Sequence, residues 1–315
     1  MAKYLVTGGC GFIGSHLVDA LLSRGDSVRV LDNLSTGRRA NLAPAAELIV
    51  ADVADLALTH AAMEGVDGCF HLAAIASVQQ SVEHWYDTHR ANQAGAIAVF
   101  DAARQARDGQ PCPVVYASSA AVYGDNPATP LAETAATEPL TAYGADKLGC
   151  EMHGRVAWLV HRVPTTGLRF FNVYGPRQDP ASPYSGVIAL FSGHIAAGEP
   201  LTVFGDGEQV RDFVYVGDVV GHLLAAMSRQ PQRSCVYNVC TGRATSVLEL
   251  AAAIGRIAGH PPQVKHVPAR AGDIRRSIGN PAAAMAALGV TAKVTLDEGL
   301  RPTLAHVFDG TPCAA

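Results

Sequence analysis

Positive charge is not in excess anywhere that matters: 24 Lys and Arg stand against 28 Asp and Glu, a formal net charge of −4. A nucleic-acid backbone calls for a basic face, so the balance argues against nucleic acid as the main partner and leaves room for a local basic pocket around a small phosphorylated ligand. Cysteine motifs are missing too. Cys10, Cys69, Cys112, Cys150, Cys235, Cys240 and Cys313 make an odd count with no C-x-x-C pair and no Cys/His grouping at zinc spacing. Reduced, mostly buried thiols in a cytoplasmic protein are expected instead. No apolar run reaches the roughly 18 residues of a membrane span. Met1-Ala2-Lys3 leads straight into an apolar strand, so no signal peptide is expected. What is present, in 315 residues, is enough for one large α/β unit or two unequal lobes at roughly 100–200 residues per domain.

Short apolar runs alternate with amphipathic stretches through the first half. Strands are expected at Tyr4–Val6, Ser27–Leu31, Glu47–Val50, Gly68–Leu72, Val114–Ser118 and Thr166–Phe171, and helices at Ile13–Ser23, near Glu83–Arg107 and at Tyr143–Val160. Such alternation implies right-handed parallel βαβ units. Beyond them, Gly175–Gly186 reads as a loop and Val214–Met227 as a strand edge followed by a helix. Val236–Val239 reads as a core strand, Ser246 to about Ala258 as a helix, and the tail after Asp309 as loose. The fold class expected is α/β: a Rossmann-type doubly wound parallel sheet with a smaller, interleaved C-terminal substrate lobe. The expected division is 1–168 for the dinucleotide-binding domain, with 213–240 returning to it, and 169–212 with 241–315 for the substrate lobe.

Gly8, Gly11 and Gly14 lie between the first strand and the first helix, with Phe12 and Ile13 inside the same turn. One glycine permits the tight turn, one lets backbone approach a pyrophosphate, and one lets helix and strand pack closely. The spacing is G-x-x-G-x-x-G. Asp32 ends the second strand, eighteen residues past Gly14, where a carboxylate accepts the ribose hydroxyls of NAD and repels a 2′-phosphate; Asn33 follows it. Arg38 and Arg39 keep NADP open as the alternative cofactor. Asp52, with Val53, either holds the adenine edge or caps its own loop.

Tyr143 and Lys147 are four residues apart, a spacing that places both on one face of a helix. A free tyrosine titrates near pH 10, and a neighbouring ammonium favours its phenolate. Ser119 emerges at the C-terminal end of the fifth strand, where open α/β sheets bind ligands, and can share a proton with Tyr143. Tyr123 reads as structural.

T-G-G-C-G-F-I-G at 7–14, H-L-A-A at 71–74, S-S-A-A-V-Y-G at 118–124, Y-G-A-D-K at 143–147, L-R-F-F-N-V-Y-G-P-R-Q at 168–178 and V-R-D-F-V-Y-V-G-D-V at 210–219 together resemble the extended short-chain dehydrogenase/reductase family, over nearly the whole chain. Within it the sequence is most similar to the UDP-sugar 4-epimerases. The resemblance implies Ser119, Tyr143 and Lys147 as the catalytic set. It sets Ala73 and Ala74 against the middle of the cofactor, Asn92 as a structural or cofactor-side asparagine, and Phe170 near the nicotinamide. It places Asn172 at the sugar diphosphate, Val187, Thr202 and Phe204 in the nucleotide pocket, Arg211 and Arg270 on the diphosphate, and Asp273 on the ribose. Arginine suits those posts because its planar fork bonds phosphate oxygens two at a time; an ion pair of Arg211 with Asp212 or a neighbour is the alternative.

The resemblance further implies NAD as cofactor, a UDP-sugar as substrate, a homodimer packed through the helices near Glu83–Arg107 and Tyr143–Val160, and no metal. Sugar-nucleotide dehydratases resemble T-D-E-V-Y-G where this chain has Ser119-Ala120-Ala121, and without an acidic pair elimination lacks its proton shuttle. A uronate 4-epimerase, a decarboxylase or a net NAD(P)H-consuming reductase remain the alternatives. Ser277 stands where relatives with a bulky Tyr exclude N-acetyl groups, so UDP-GlcNAc and UDP-GalNAc are expected as substrates beside UDP-Glc and UDP-Gal.

Overall fold

A computed structural model describes residues 1–180, 186–229, 233–270 and 272–310. Residues 181–185 of the expected 175–186 loop and the tail from residue 311, with Cys313, therefore lie outside the described residues. In chain order the elements are β1 (Lys3–Thr7), α1 (Phe12–Ser23), β2 (Ser27–Asp32), β3 (Glu47–Val50), α2 (Leu56–Met63), β4 (Gly68–His71), α3 (Val78–Glu83), α4 (Trp85–His89), α5 (Gly95–Ala102), β5 (Val114–Ser119), α6 (Ala142–His161), β6 (Thr165–Phe170) and β7 (Asn172–Tyr174). There follow α7 (Val187–Ala196), β8 (Leu201–Phe204), β9 (Val210–Arg211), β10 (Phe213–Tyr215), α8 (Val216–Arg229), β11 (Cys235–Val239), β12 (Thr245–Ser246), α9 (Val247–Ala258), β13 (Val264–Val267), β14 (Arg276–Ser277), α10 (Ala282–Leu288) and α11 (Leu296–Gly310).

Seven parallel strands form one sheet in the order β11-β6-β5-β4-β1-β2-β3. Strand order reverses between β1 and β4, and in doubly wound sheets ligands bind in the crevice at that switch point. Both faces are covered, which is why the strands read as continuous apolar runs rather than alternating ones. Leu17, Val18 and Leu21 of α1 pack with Val219 and Leu223 of α8 on one face. Met63 of α2, Val99 and Phe100 of α5 and Cys150 and Ala157 of α6 pack on the other. A separate core joins α7, β8, α9 and α11 through Phe191, Val203, Leu250, Ile254 and Leu304. Among the described residues three small sheets, β7 with β10, β8 with β13, and β9 between β12 and β14, carry this second half.

The helix expected near 83–107 needs correction. His84, at φ −128° and ψ 57°, separates α3 from α4. Arg90–Ala94 then forms a turn of π-helix, and Ala103–Gln105 closes α5 as a 3₁₀ turn. The wide turn carries Asn92, whose side chain is needed elsewhere, as described below. Six described cysteines are free, and all but Cys235 are buried. Among the described residues no helix is long and apolar enough to cross a membrane.

Candidate active site

The glycine turn is shaped by what it cannot accommodate. Gly8 has φ +71°, and a Cβ there would lie 2.7 Å from the Ala73 amide nitrogen; a Cβ on Gly14 would lie 2.1 Å from the Gly8 carbonyl oxygen. That carbonyl already accepts the Gly11 amide at 3.1 Å. Gly11 caps α1 without a side chain, and no acid lies in the first turn, so first-turn amides are left to an anion. Ile13 packs into the sheet core, and the Phe12 ring meets His16 edge-on.

Asp32 ends β2 next to this turn and is buried. Its carboxylate accepts the Cys10 amide at 2.9 Å and the Leu34 amide at 2.8 Å, which fixes the turn and the following loop on one group. Burial, then the Asp32 charge, pushes the Cys10 thiol up to about 11, so it remains a thiol at neutral pH. Asn33 is spent on a local turn with the Ser35 amide. Arg38, one of the two arginines that kept a 2′-phosphate open, is paired with Asp179 at 2.8 Å.

Across the switch point, Thr7 Oγ1 accepts the amides of Leu72 and Ala73 at 3.2 Å each and lies 2.8 Å from His71 Nδ1. Ala73 is thereby pressed against Gly8, and Ala74 follows in the same segment. His71 is buried, and burial, then the nearby Lys147 charge, lowers it to about 3; it is neutral. Asn92 clamps the segment from the other side, accepting the Ile75 amide at 2.8 Å and donating to the Ile75 carbonyl at 3.2 Å. Asp52 caps its loop through the Ala54 amide and pairs with Arg90 at 2.9 Å. Val53 is buried against Gly95 of α5.

Ser119 and Phe170 are register partners at the C-terminal ends of β5 and β6. The Ser119 hydroxyl accepts the Ala121 amide at 3.1 Å and starts a 3₁₀ turn, Ala120–Tyr123. Thr141 caps α6 by accepting the Gly144 amide. A Cβ on Gly144 would sit 2.7 Å from the Ala121 carbonyl, so the start of α6 is pressed onto the turn that follows Ser119. From there Tyr143 stands half-buried, and no described residue bonds its hydroxyl. Lys147 is buried, donates to the Ala117 carbonyl at 3.0 Å, and holds its ammonium 5.8 Å from the Tyr143 ring centre.

The distal residues gather around β9. The Asn172 main-chain N–H donates to the Asp212 carbonyl at 3.0 Å. Arg211 pairs with Asp273 at 2.6 Å, not with Asp212, and also donates to the Ile274 carbonyl at 2.7 Å. Burial pulls Arg211 below its ordinary value while the Asp273 carboxylate opposes the shift. Ser277 is the register partner of Arg211. Arg270 stacks on the Phe204 ring at 3.7 Å, and both line a cavity of about 220 Å³ with Gln209 and Asp273. Thr202 lies half-buried on β8, and Val187 opens α7. Sequence reasoning missed Asp212 as a hub. Its fully buried carboxylate accepts from the Thr241 amide and hydroxyl, the Gly242 amide and the Gly279 amide, tying two loops beneath Arg211. The only available signal was an acid inside V-R-D-F.

With this geometry in hand, residues 4–240 match a family described as the NAD dependent epimerase/dehydratase family. The chain belongs to that family. NAD is its cofactor, and the cradle at Gly8 and Gly14, closed to any Cβ, fits that group. A UDP-glucose 4-epimerase of Mycolicibacterium smegmatis is 39% identical over 96% of this chain and 97% of its own. The crystal structure of UDP-glucose 4-epimerase from Thermotoga maritima with UDP-glucose superposes with a TM-score of 0.92 at 37% identity, covering 96% of this chain and 98% of that one. A UDP-N-acetylglucosamine 4-epimerase from Methanobrevibacter ruminantium, in complex with UDP-N-acetylmuramic acid, gives a TM-score of 0.93 at 33% identity, over 98% and 99% of the two chains.

Proposed function

We propose that this protein is a 4-epimerase of UDP-hexoses, UDP-Glc with UDP-Gal, that also turns over UDP-GlcNAc and UDP-GalNAc through a transient 4-keto sugar. The observation that carries this is the placement of Tyr143 and Lys147 at the start of α6, against the turn that begins at Ser119, on the ligand-binding edge of the sheet. Bound in the glycine turn, NAD would supply a reversible hydride acceptor, so none would be consumed. Tyr143 takes the proton of the sugar 4-hydroxyl and returns it at the end. Lys147 stabilises negative charge on the phenol oxygen, and Ser119 holds the reacting oxygen by hydrogen bond. Arg211 and Arg270 hold the diphosphate and Asp273 the ribose, so the sugar can turn about a fixed anchor. Asn172, Val187, Thr202 and Phe204 complete the nucleotide end. Asp32, with the 73–75 segment held by Asn92, positions the cofactor.

Ser277 supports the wider sugar range, since its ladder partner is Arg211 and its side chain is small. We assign residues 1–168 and 213–240 to the cofactor half and 169–212 and 241–315 to the substrate half. A homodimer in the cytoplasm completes the proposal, supported by an exposed apolar face of Val82, Trp85 and Tyr86 with Met152, Val156 and Leu159.

The test is incubation with UDP-Gal or UDP-GlcNAc without added cofactor. Expected is interconversion of C4 epimers with no net change in reduced nicotinamide. A stoichiometric change overturns the proposal in favour of a reductase. Tyr143→Phe is expected to lower kcat by about 100- to 10,000-fold.

A further inference from the structure

Behind the site runs a chain of buried polar groups to which no chemical role has been given above. Glu151 lies on α6 four residues past Lys147 and eight past Tyr143, so the three share one side of the helix. Its carboxylate receives the fork of Arg169 from β6, Nε on Oε1 at 2.8 Å and Nη2 on Oε2 at 2.7 Å, while the Ser118 hydroxyl donates to Oε1 at 2.5 Å. Arg169 Nη1 donates to the Tyr123 hydroxyl at 2.8 Å and to the Glu133 carbonyl at 3.2 Å. Tyr123 donates onward to Asn238 Oδ1 at 2.7 Å, and the Asn238 main-chain N–H donates to Glu133 Oε1 at 2.7 Å. The Glu151 and Arg169 side chains are each 7% exposed.

Stability alone is a poor reason for such a pair. Two desolvated charges roughly cancel their own attraction, and an apolar pair of similar volume would hold helix to sheet as well or better. What the fork adds is direction, because a planar two-point bond fixes both partners in position and angle. Ser118 precedes Ser119 on β5, so one strand end feeds both Glu151 and the candidate catalytic hydroxyl. Lys147 is bonded to Ala117 on the same strand. The helix is thus pinned to β5 at two points one turn apart, and to β6 at the second of them.

The geometry points to Glu151, held by Arg169 and Ser118, as a positioning residue that sets the axial register of α6 and so places Tyr143 and Lys147 against Ser119. The inference deepens the epimerase proposal and uses its reaction as one of two readouts. Glu151→Gln would strand a buried guanidinium, so the main variant is Glu151→Leu with Arg169→Met, which removes both charges. Expected are retained NAD, KM for UDP-Gal within about twofold and kcat lowered about 10- to 100-fold, the scale of a sub-ångström to 1 Å misplacement. The second readout is the phenolate absorbance titration of Tyr143, taken as the difference from Tyr143→Phe, whose midpoint is expected to rise as Lys147 is displaced. A double variant with wild-type kcat and an unmoved titration overturns the inference. If the unaltered protein epimerises no UDP-sugar, the epimerase proposal falls, and the titration alone decides this one. If the double variant does not fold, Ser118→Ala decides: it leaves the ion pair in place, and kcat lowered about threefold or more at unchanged melting temperature supports positioning, whereas unchanged kcat overturns it.

Discussion

At the cofactor end, between β1 and α1, shape is made by backbone: Gly8 and Gly14 leave no volume for a side chain, and Asp32 fixes the loop by accepting two main-chain amides. At the substrate end, around β9, shape is made by side chains gripping one another, Arg211 on Asp273 and Arg270 on Phe204. A backbone cradle presents its donors without rearrangement and tolerates no added atom. An ion pair is partly satisfied beforehand, and on the proposed assignment an incoming diphosphate would have to share or displace Asp273. On that assignment the cofactor end would retain one ligand, and the substrate end would exchange and vary its ligands.

The largest expected effect breaks the cradle. Gly14→Ala is expected to weaken NAD binding by at least about 10,000-fold, near 5.5 kcal/mol, measured as NAD content of the purified protein and by calorimetry. Normal NAD content would end the distinction between the two regions.

Next is a pH effect from the same end. His71 is lowered from 6.5 to about 3 by burial and Lys147, so the folded state binds fewer protons than the unfolded chain. Its contribution to stability is whole above pH 6.5 and is lost as pH falls from there toward about 3, to a total of about 5 kcal/mol. Denaturant melts of the unaltered protein should steepen below pH 6.5, and His71→Gln should flatten that limb; parallel curves would refute a neutral buried imidazole.

At the substrate end, Arg211→Ala is expected to raise KM for the UDP-sugar about 100-fold while NAD content stays normal. Arg211→Lys should recover little, because a point charge does not replace the fork. Smallest, Ser277→Tyr is expected to cost about tenfold in kcat/KM for UDP-GlcNAc and little for UDP-Gal, an effect of one pocket side chain. Equal losses on both sugars would detach Ser277 from sugar choice.

These regions also differ in how much the sequence disclosed. The glycine turn, Asp32, and the Tyr143/Lys147 pair are local: spacing within one strand–turn–helix unit fixes what each can reach. The partner of Arg211 was not local. Consecutive residues of extended chain face opposite ways, so Arg211 turns to Asp273 while Asp212 turns inward to Thr241, Gly242 and Gly279. The break in the expected 83–107 helix has a similar origin, since the π turn presents Asn92 to Ile75 across the fold. The parallel pairing of β8 with β13 joins Thr202 to Lys265, and no short-range pattern announces such a partner. The Glu151–Arg169 fork was equally hidden, because nothing in the two segments, one helical and one extended, gives their relative height.

The seventh strand of the sheet has a consequence for the order in which the molecule can be made. β11 ends at Val239, pairs with β6, and brings Asn238 to Tyr123 and Glu133. A nascent chain that has emerged only as far as residue 229 already holds the glycine turn, Tyr143 and Lys147, yet β6 is still an open edge and the polar chain behind α6 lacks its last member. Domains fold as units during synthesis, N-terminal parts first. Here the ribosome must deliver the chain through Val239 before the seven-stranded sheet is finished, and until then an unpaired strand edge stands exposed to any neighbouring chain.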